Sequence, residues 1–227
     1  MNSDEYRYTV ARADRQVPLT GDPTAAPWPA AQVAPIDVFP WFRFGARQET
    51  RVRLLYDEQA LYAQYNCQDA HSYAETTQLN GPVWRDSCVE LFACPDPARS
   101  DYFNFEMNCC GTFLLFFNMP GAEPSRKVIT PELAGRVRVA ASLPGPIKAE
   151  SPTDENWWAA ARLPFDVIAE LSGQPVRVGP GTKWRANFYR CGGRVDPQHG
   201  CWSPIDATAN LRPCYHLPEY FGTLAFE

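Results

Sequence analysis

The sequence predicts an all-β fold: an antiparallel β-sandwich of the jelly-roll or immunoglobulin type, with one short helix. About ten short stretches alternate in character or are strongly apolar, and turn residues bound them, which is typical of strands. The 22 prolines separate these stretches. Because no linker or internal repeat interrupts the 227 residues, we expect a single domain over residues 1–227, with residues 1–20 as a polar lead-in segment.

The N-terminal part of the chain predicts three strands. Tyr6–Ala11 is a strand-like stretch within the lead-in, and Gly21–Pro40 is rich in proline and alanine, which predicts irregular chain over a core. Thr50–Leu55 alternates, a turn follows at Asp57-Glu58, and Ala60–Cys67 reads as the next strand. These two strands predict a hairpin.

The rest of the chain predicts seven further strands and the helix. Phe165, Ile168 and Leu171 lie three residues apart, so Pro164–Leu171 is expected to be helical. Gly192-Gly193 predicts a turn. The predicted strands are Asp86–Phe92, Tyr102–Asn108, Thr112–Phe117, Val137–Ser142, Trp157–Arg162, Lys183–Tyr189 and Gly222–Phe226.

The stretch Val83–Phe92 predicts a functional face. Successive side chains of a strand point to opposite sides. If the strand begins at Asp86, one face therefore carries Ser87, Val89 and Leu91, and this face suits a core. Trp84 heads this strand, where an exposed aromatic ring could stand at the rim of a cleft; the alternative is an ordinary core tryptophan. The face that would line the cleft carries Asp86, Cys88, Glu90 and Phe92.

Composition excludes several classes of partner. Apolar residues at 45% and charged residues at 21% describe an ordinary soluble protein, and the net charge of −5 argues against a nucleic-acid partner. No apolar run reaches the length of a membrane span, so no membrane partner is expected. The N-terminus lacks the pattern of a secretory signal, which predicts a cytoplasmic protein; the alternative is secretion with a signal outside this sequence. We therefore expect the eight cysteines to be reduced thiols.

Local catalytic motifs are absent from the sequence. There is no nucleophile elbow, phosphate-binding loop or zinc-protease motif, and only three histidines are present, so nothing supports a nucleophilic triad. A zinc-holding interaction domain is an alternative, because thiolate and imidazole are zinc ligands, although no CxxC pair anchors the set. Cys191 and Cys201 could instead flank a hairpin turn, as thiols or as a cross-strand disulfide. The five residues of this Cys/His set are Cys191, His199, Cys201, Cys214 and His216.

Carboxylates and aromatic residues suggest sugar chemistry. Glu90 and Glu106 lie on neighbouring predicted strands, and a pair of carboxylates is the machinery of glycoside hydrolysis. The same carboxylates could instead accept hydrogen bonds from sugar hydroxyls in a binding protein. The chain also has seven Trp, ten Tyr and thirteen Phe residues, whose rings can lie flat against sugar rings, although most of them must form the core.

Six segments of the chain carry a family resemblance and are, in order, VRLLYDEQALYAQYNCQD, VWRDSCVELF, FEMNCCG, RANFYRCGG, CWSPID and YHLPEYFGTLAF. They resemble segments of family 9 carbohydrate-binding modules and of the broader family 9-like, DOMON-like group. The resemblance covers residues from Trp28 to Phe226. It implies a β-sandwich that clamps a free sugar, or the end of a glucan or xylan chain, between two aromatic rings.

The resemblance also implies roles for individual residues. By motif position Trp84 is the first ring, and Tyr215, six residues before the phenylalanine of the closing FG pair, is the second. Glu90 matches the residue that hydrogen-bonds the sugar. Glu106 stands where the family places an arginine, and Arg212 lies near the position of an asparagine, so we expect a changed choice of sugar. Together with Asp86 on the same strand face, these residues form the expected carbohydrate site.

We therefore expect a non-catalytic carbohydrate-binding domain, used in polysaccharide (xylan or glucan) utilisation, with a mono- or oligosaccharide as ligand. The alternatives are a glycoside-active hydrolase using Glu90 and Glu106 and the zinc-holding interaction domain. A glycoside hydrolase is the expected protein partner, if there is one. No cofactor is required; structural calcium occurs in the resembling family, but no loop here has a clear run of oxygen ligands.

Overall fold

A computed structural model describes residues 6–149, 151, 153–192 and 198–227. Within these residues there are thirteen strands and two α-helices. The strands are β1 (Arg7–Arg12), β2 (Ala34–Pro35), β3 (Thr50–Tyr56), β4 (Ala60–Gln68), β5 (Ser87–Cys94), β6 (Tyr102–Asn108), β7 (Phe113–Met119), β8 (Ser125–Val128), β9 (Arg138–Ala141), β10 (Asn156–Pro164), β11 (Lys183–Gly192), β12 (Gly200–Cys201) and β13 (Gly222–Phe226). The helices are α1 (Pro131–Ala134) and α2 (Phe165–Ser172), with 3-10 turns at Trp28–Ala30, Val83–Arg85 and Pro218–Tyr220.

The strands form one curled sheet that packs against itself as two layers. The order along the sheet is β8-β7-β6-β5-β11-β13-β1-β3-β4-β10-β9, with β2 beside β3 and β12 beside β11. The main core gathers buried side chains from both halves of this path, including Leu91 of β5 and Trp157 of β10. The predicted all-β sandwich is confirmed.

The sheet is mixed, so the prediction of a purely antiparallel arrangement is wrong at β1. This strand runs parallel to β13 on one side, where Arg7 pairs with Thr223, and parallel to β3 on the other, where Ala11 pairs with Leu55. Parallel neighbours cannot be joined by a tight hairpin. Here they need no hairpin, because β1 and β13 come from opposite ends of the chain.

The helices differ from the prediction in number. The expected helix is present as α2, which ends at Gly173 in a left-handed conformation with φ of 77°. A second helix, α1, has Pro131 in its first turn, and the hydroxyl of Thr130 accepts a hydrogen bond from the backbone N–H of Leu133. Neither helix is long and apolar enough to cross a membrane, and no other is present in the described ranges.

Strands β5 and β6 are buried on both faces, which creates the setting of the site. On one face Leu91 and Phe105 join the main core. On the other face Phe92 and Tyr102 join a second apolar cluster, which also includes Tyr215 from the loop before β13. This loop therefore covers part of the outer face of the sheet. The predicted turn at Gly192-Gly193 is only half visible: Gly192 ends β11, and Gly193 lies outside the described residues.

Candidate functional site

A pocket of about 310 Å³ opens on the outer face of β5 and β6. Its floor comes from β5, β6 and β7. Its walls come from the turn before β5, from β8, from the end of β11 and from the loops before β12 and β13. The lining residues are Trp84, Glu90, Phe92, Asn104, Glu106, Phe116, Arg126, Cys191, His199, Pro213, Cys214, Tyr215 and His216. An aromatic rim above a polar floor is the arrangement of a small-molecule site.

Two glutamates form the polar part of the floor. Glu90 of β5 and Glu106 of β6 are direct partners in the antiparallel ladder, and their side chains are only 2% and 4% exposed. The Cys191 thiol donates to Oε1 of Glu90 at 2.9 Å, and Nδ2 of Asn104 donates to Oε1 of Glu106 at 2.7 Å. The second oxygen of Glu106, Oε2, is buried and has no hydrogen-bond partner among the described residues.

Burial favours the neutral form of both carboxyl groups. Loss of hydration raises the pKa of Glu106 to about 7. The pKa of Glu90 is raised well above its usual range, first by burial and then by the neighbouring charge of Glu106. Near neutral pH the floor therefore holds protons that a ligand can displace or share.

Trp84 stands at the rim on a short, well-anchored turn. Val83, the first residue of the 3-10 turn, is fully buried, whereas Trp84 is 47% exposed. Behind the turn the carboxylate of Asp86 accepts hydrogen bonds from the backbone N–H groups of Glu75 and Thr76 at 3.1 and 3.2 Å, and from Nδ2 of Asn108 at 2.8 Å. The ring is thus presented to solvent by a rigid support.

Asp86 does not line the pocket, which corrects the strand-face expectation. The strand begins at Ser87, and Asp86 lies in the bend before it, so the alternation that begins at Ser87 does not include it. Asp86 is 0% exposed, and its carboxylate is occupied by the three donors behind the turn. These hydrogen bonds anchor Asp86 directly behind the turn that carries Trp84.

Tyr215 lines the pocket from the opposite loop, but it is nearly buried. It is 7% exposed, and its ring stacks on Tyr189 with centroids 4.1 Å apart and planes at 8°. Its hydroxyl donates to the backbone carbonyl of Arg190 at 2.9 Å. One face of the ring is therefore covered by protein, and Tyr215 is a wall of the pocket rather than a projecting plate like Trp84.

Arg212 is exposed and is not among the residues that line the pocket. Its two chain neighbours, Leu211 and Pro213, line a second groove of about 510 Å³ that also contains Trp41. This groove shares His199 and Pro213 with the pocket on β5 and β6. Arg212 is thus placed outside the pocket, in the loop between the two cavities.

The Cys/His set predicted from the sequence is gathered at the pocket without forming a metal centre. Four of its five members line the walls, and Cys201 is the exception. In the described part of the chain, metal-ligating atoms come together instead at Cys88, Glu90 and Glu106, within 4.8 Å of one another. All eight cysteines are free, so the Cys191–Cys201 disulfide alternative is wrong.

Calcium does not fit this group. Calcium takes six to eight oxygen ligands, usually with ionised carboxylates among them. The group here includes the Cys88 thiol, and burial raises the pKa of this thiol and of both glutamates, which favours their protonated forms. The structural calcium that the resemblance implies has no support in this cluster.

Some lining residues carry a sequence signal that the pattern analysis missed. Asn104 lies two positions before Glu106, so it shares the same strand face, and Phe116 lies on a strand face in the same way. Arg126 has no such signal, because every residue of β8 is exposed and the strand has no apolar alternation. His216, whose Nδ1 lies 2.7 Å from the Tyr102 hydroxyl, belongs to the Cys/His set, whose residue types indicate a metal rather than a sugar.

Comparison with known proteins gives matches over almost the whole chain. A crystal structure of a "putative carbohydrate-binding protein" from Bacteroides uniformis ATCC 8492 is similar with a TM-score of 0.82 at 28% identity, over 97% of this chain and 99% of that chain. Two structures of a family 9 carbohydrate-binding module from Caldicellulosiruptor kristjanssonii, in complex with cellotriose and with glucose, have TM-scores of 0.61 at 13% identity. They match 97% of this chain and 93% and 95% of theirs.

Sequence comparisons give one family and no curated relative. No curated protein matches the chain. The sequence model of carbohydrate-binding family 9 matches residues 25–226, which includes every residue that lines the pocket. The chain belongs to carbohydrate-binding family 9.

Proposed function

We propose that this protein binds carbohydrate without catalysis, in the pocket between Trp84, Tyr215 and the two floor glutamates. The observation that carries the proposal is the pairing of a half-exposed, rigidly supported Trp84 ring with buried hydrogen-bond acceptors at Glu90 and Glu106. A sugar ring has apolar C–H faces and a polar hydroxyl edge. Stacking on Trp84 would cover one face, while the hydroxyl edge points to the floor.

The floor supplies the hydroxyl contacts. Oε2 of Glu106 is buried without a partner in the described chain, and a hydroxyl donor from the ligand would satisfy it. Asn104 and Arg126 also line the pocket and add further polar groups for an adjacent hydroxyl. Because a buried polar atom without a partner costs roughly 1 to 3 kcal/mol, pairing it favours the bound state.

The ligand class follows from the family and its structural neighbours. The neighbours from Caldicellulosiruptor kristjanssonii hold cellotriose and glucose. We propose that this chain likewise takes a free sugar or the end of an oligosaccharide, in polysaccharide utilisation. The second groove, which shares His199 and Pro213 with the pocket, gives a longer chain a surface on which to continue.

Calorimetric titration with glucose, xylose, cellobiose and xylobiose tests the proposal. We expect saturable binding of at least one of these sugars to the wild-type protein, and weaker binding to Trp84→Ala. Arg85→Ala is the matched control, because Arg85 is exposed in the same turn and does not line the pocket. If none of the four sugars binds, or if both variants weaken binding equally, the pocket is not the carbohydrate site.

The geometry does not favour hydrolysis by Glu90 and Glu106. In glycosidases the two carboxyl groups flank the scissile bond and lie about 5 to 9.5 Å apart. Here the two side chains lie side by side on adjacent strands, with oxygens within 4.8 Å, and both pKa values are raised by burial. We expect no release of nitrophenol from aryl glucosides or xylosides above background. Turnover that disappears in Glu90→Gln would contradict this.

A glycoside hydrolase is the proposed functional partner. Family membership supports this association, since a non-catalytic sugar-binding domain gains its use by bringing an enzyme to its polymer. The test is hydrolysis of insoluble xylan or cellulose by a hydrolase with this domain attached. We expect faster hydrolysis than with the attached Trp84→Ala domain, and equal rates on soluble oligosaccharides. Equal rates on the insoluble polymer would argue against the partnership.

A further inference from the structure

Among the described residues, the two carboxyl groups on the floor of the pocket accept no hydrogen bond from a cation. Glu90 and Glu106 are paired across two strands and almost fully buried, and buried charges in proteins are normally paired or neutralised. Glu90 accepts from the Cys191 thiol and Oε1 of Glu106 accepts from Asn104, which are both neutral donors. Oε2 of Glu106 has no partner within the described ranges of the chain.

Among the described lining residues, one basic side chain carries a fixed charge. This is Arg126, whose guanidinium lies over the Phe116 ring, 4.4 Å from the centroid, and whose charge offsets part of the effect of burial on the pKa of Glu106 without a hydrogen bond to it. His199 and His216 also line the pocket, but burial lowers the pKa of both, so they are neutral near pH 7. The other titratable groups of the described lining are the thiols of Cys191 and Cys214 and the hydroxyl of Tyr215, and burial raises the pKa of Cys191 and of Tyr215. Within the described lining, two carboxyl groups thus share the pocket with one guanidinium.

We propose that the pocket takes an amino sugar with a free ammonium group, which lies against Oε2 of Glu106 while the sugar ring stacks on Trp84. This inference rests on the proposed carbohydrate function and names its ligand class. An ammonium group brings three N–H donors and a positive charge to the unpartnered, buried oxygen. Hydrogen bonds between charged partners are about twice as strong as neutral ones, so the ammonium group should be preferred over a hydroxyl at this position.

A metal ion could also bring positive charge to this floor, but the geometry favours the ammonium group. Thiol–carboxylate sets suit zinc, and Cys88 lies with the two glutamates within 4.8 Å. Cys88 is 0% exposed, however, and the Cys191 proton already satisfies Glu90. The pocket is also much larger than one ion needs, at about 310 Å³. The unmet requirement is one donor at Glu106, which an organic ammonium group meets.

The proposal predicts coupling between ligand binding and protons. Burial raises the pKa of Glu106 to about 7, and burial together with the charge of Glu106 raises that of Glu90 well above its usual range, so the free floor is partly protonated near neutral pH. An ammonium ion binds the ionised floor and releases protons. Affinity for an amino sugar should therefore rise with pH from about 6 to about 7.5, as the protons it must displace are lost. A neutral sugar does not require ionised carboxylates and should change less.

Calorimetric titration with glucosamine, glucose and N-acetylglucosamine tests the inference. The acetyl group of N-acetylglucosamine removes the positive charge of glucosamine but keeps the sugar ring. The comparison therefore separates the effect of the charge from the effect of ring shape. We expect glucosamine to bind at least about tenfold more tightly than the two neutral sugars at pH 7, and to release protons to the buffer. In Glu106→Gln the ratio of glucosamine to glucose affinity should fall to about one. In Arg126→Gln the ratio should rise, because a competing cation is removed.

The outcomes are distinguishable, and none depends on a single variant. The wild-type affinity ratio and proton release remain informative if Glu106→Gln fails to fold. Binding of glucose without a preference for glucosamine would overturn this inference and leave the proposed function standing. Binding of none of the three sugars would overturn this inference, and the proposed function would fall with it only if xylose, cellobiose and xylobiose also fail to bind. Tight binding of zinc chloride that prevents sugar binding would replace the ammonium proposal with a metal site.

Discussion

At the scale of single residues, Trp84 is expected to contribute to sugar binding and little to the stability of the fold. Its ring is 47% exposed, while the anchoring contacts of the turn are made by Val83 and Asp86. Trp84→Ala should lower sugar affinity by roughly 1 to 3 kcal/mol, because one stacking surface is lost. The melting temperature should stay close to that of the wild type. Calorimetry beside a thermal melt checks this. A large loss of thermal stability would show that Trp84 is part of the core.

Tyr215 should behave differently, because the same ring serves the pocket and the packing. It stacks on Tyr189, and its hydroxyl donates to the Arg190 carbonyl. Tyr215→Ala should reduce the free energy of unfolding by about 3 to 5 kcal/mol as well as weaken sugar binding. Tyr215→Phe should cost only about 1 kcal/mol, since it removes one hydrogen bond. Urea titrations of both variants measure this. An alanine variant of unchanged stability would contradict the packing role.

The raised pKa of Glu106 on the pocket floor predicts that the free energy of unfolding falls as pH rises. The folded-state pKa of Glu106 is raised to about 7 by burial, above its ordinary value of 4.5, so the folded chain binds protons more readily than the unfolded chain. Stability is therefore lost between these two pH values. Glu106→Gln removes this titration. The free energy of unfolding of the variant, relative to that of the wild type, should therefore be up to about 3 kcal/mol higher at pH 8 than at pH 4. Melts of both proteins across this range test the sign.

At the scale of elements, the sequence predicted the strands that have both an alternating pattern and clear turns. The bounds of β6 and β13 agree with the prediction, and the β3–β4 hairpin lies where the turn at Asp57-Glu58 indicated. Strand β8 was not predictable, because all its residues are exposed and polar positions dominate. Because β8 could not be predicted, Arg126 was not among the expected site residues.

Part of the candidate site could also be predicted from the alternating pattern of the strands. Glu90 and Glu106 could be placed on neighbouring strands from alternation, and the structure pairs them directly. Asp86 could not be placed, because alternation says nothing of the residue before a strand begins. The burial of Tyr215 depends on a loop packing against Tyr189, and no local pattern encodes such a contact.

The turn before β5 can be tested through Asp86. Its carboxylate accepts from two backbone N–H groups and from Asn108, so Asp86→Asn places an amide donor against other donors. We expect a loss of about 1 to 3 kcal/mol in unfolding free energy, with weaker sugar binding because Trp84 loses its support. Asp96→Asn, in an exposed turn, is the control, since its acceptor oxygen for Ala98 is retained. Unaltered binding and stability in Asp86→Asn would show that the turn does not depend on this carboxylate.

At the scale of the whole molecule, the halves of the curled sheet are joined by the shared core and by several further contacts, two of which involve Arg190 and β1. One is the ion pair between Arg190 of β11 and Asp69 after β4, at 3.0 Å with both side chains almost fully buried. Arg190 also donates to Thr50 and to the Gln68 carbonyl. The other contact is β1, which is hydrogen-bonded to both β13 and β3. The lead-in segment therefore contains a strand on which the closure of the sheet depends.

Removal of β1 should consequently abolish cooperative folding. Tyr8 and Val10 are 0% exposed in the main core, and the Tyr8 hydroxyl accepts from the Leu54 backbone N–H at 2.7 Å. A chain that begins at Ala13 would lose these contacts and expose two unpaired strand edges, which favour aggregation. We expect insoluble protein or a melt without a sharp transition.

Arg7→Ala in the full chain is the control for β1 removal, because Arg7 is exposed and its one ion pair with the described residues, at 3.9 Å, is with Glu227, which is also exposed. This variant should keep the wild-type melting temperature. Size-exclusion chromatography and circular dichroism of both proteins measure the difference. A truncated chain that is monomeric and melts cooperatively would mean that the β13 and β3 edges can pair directly, and that β1 does not close the sheet.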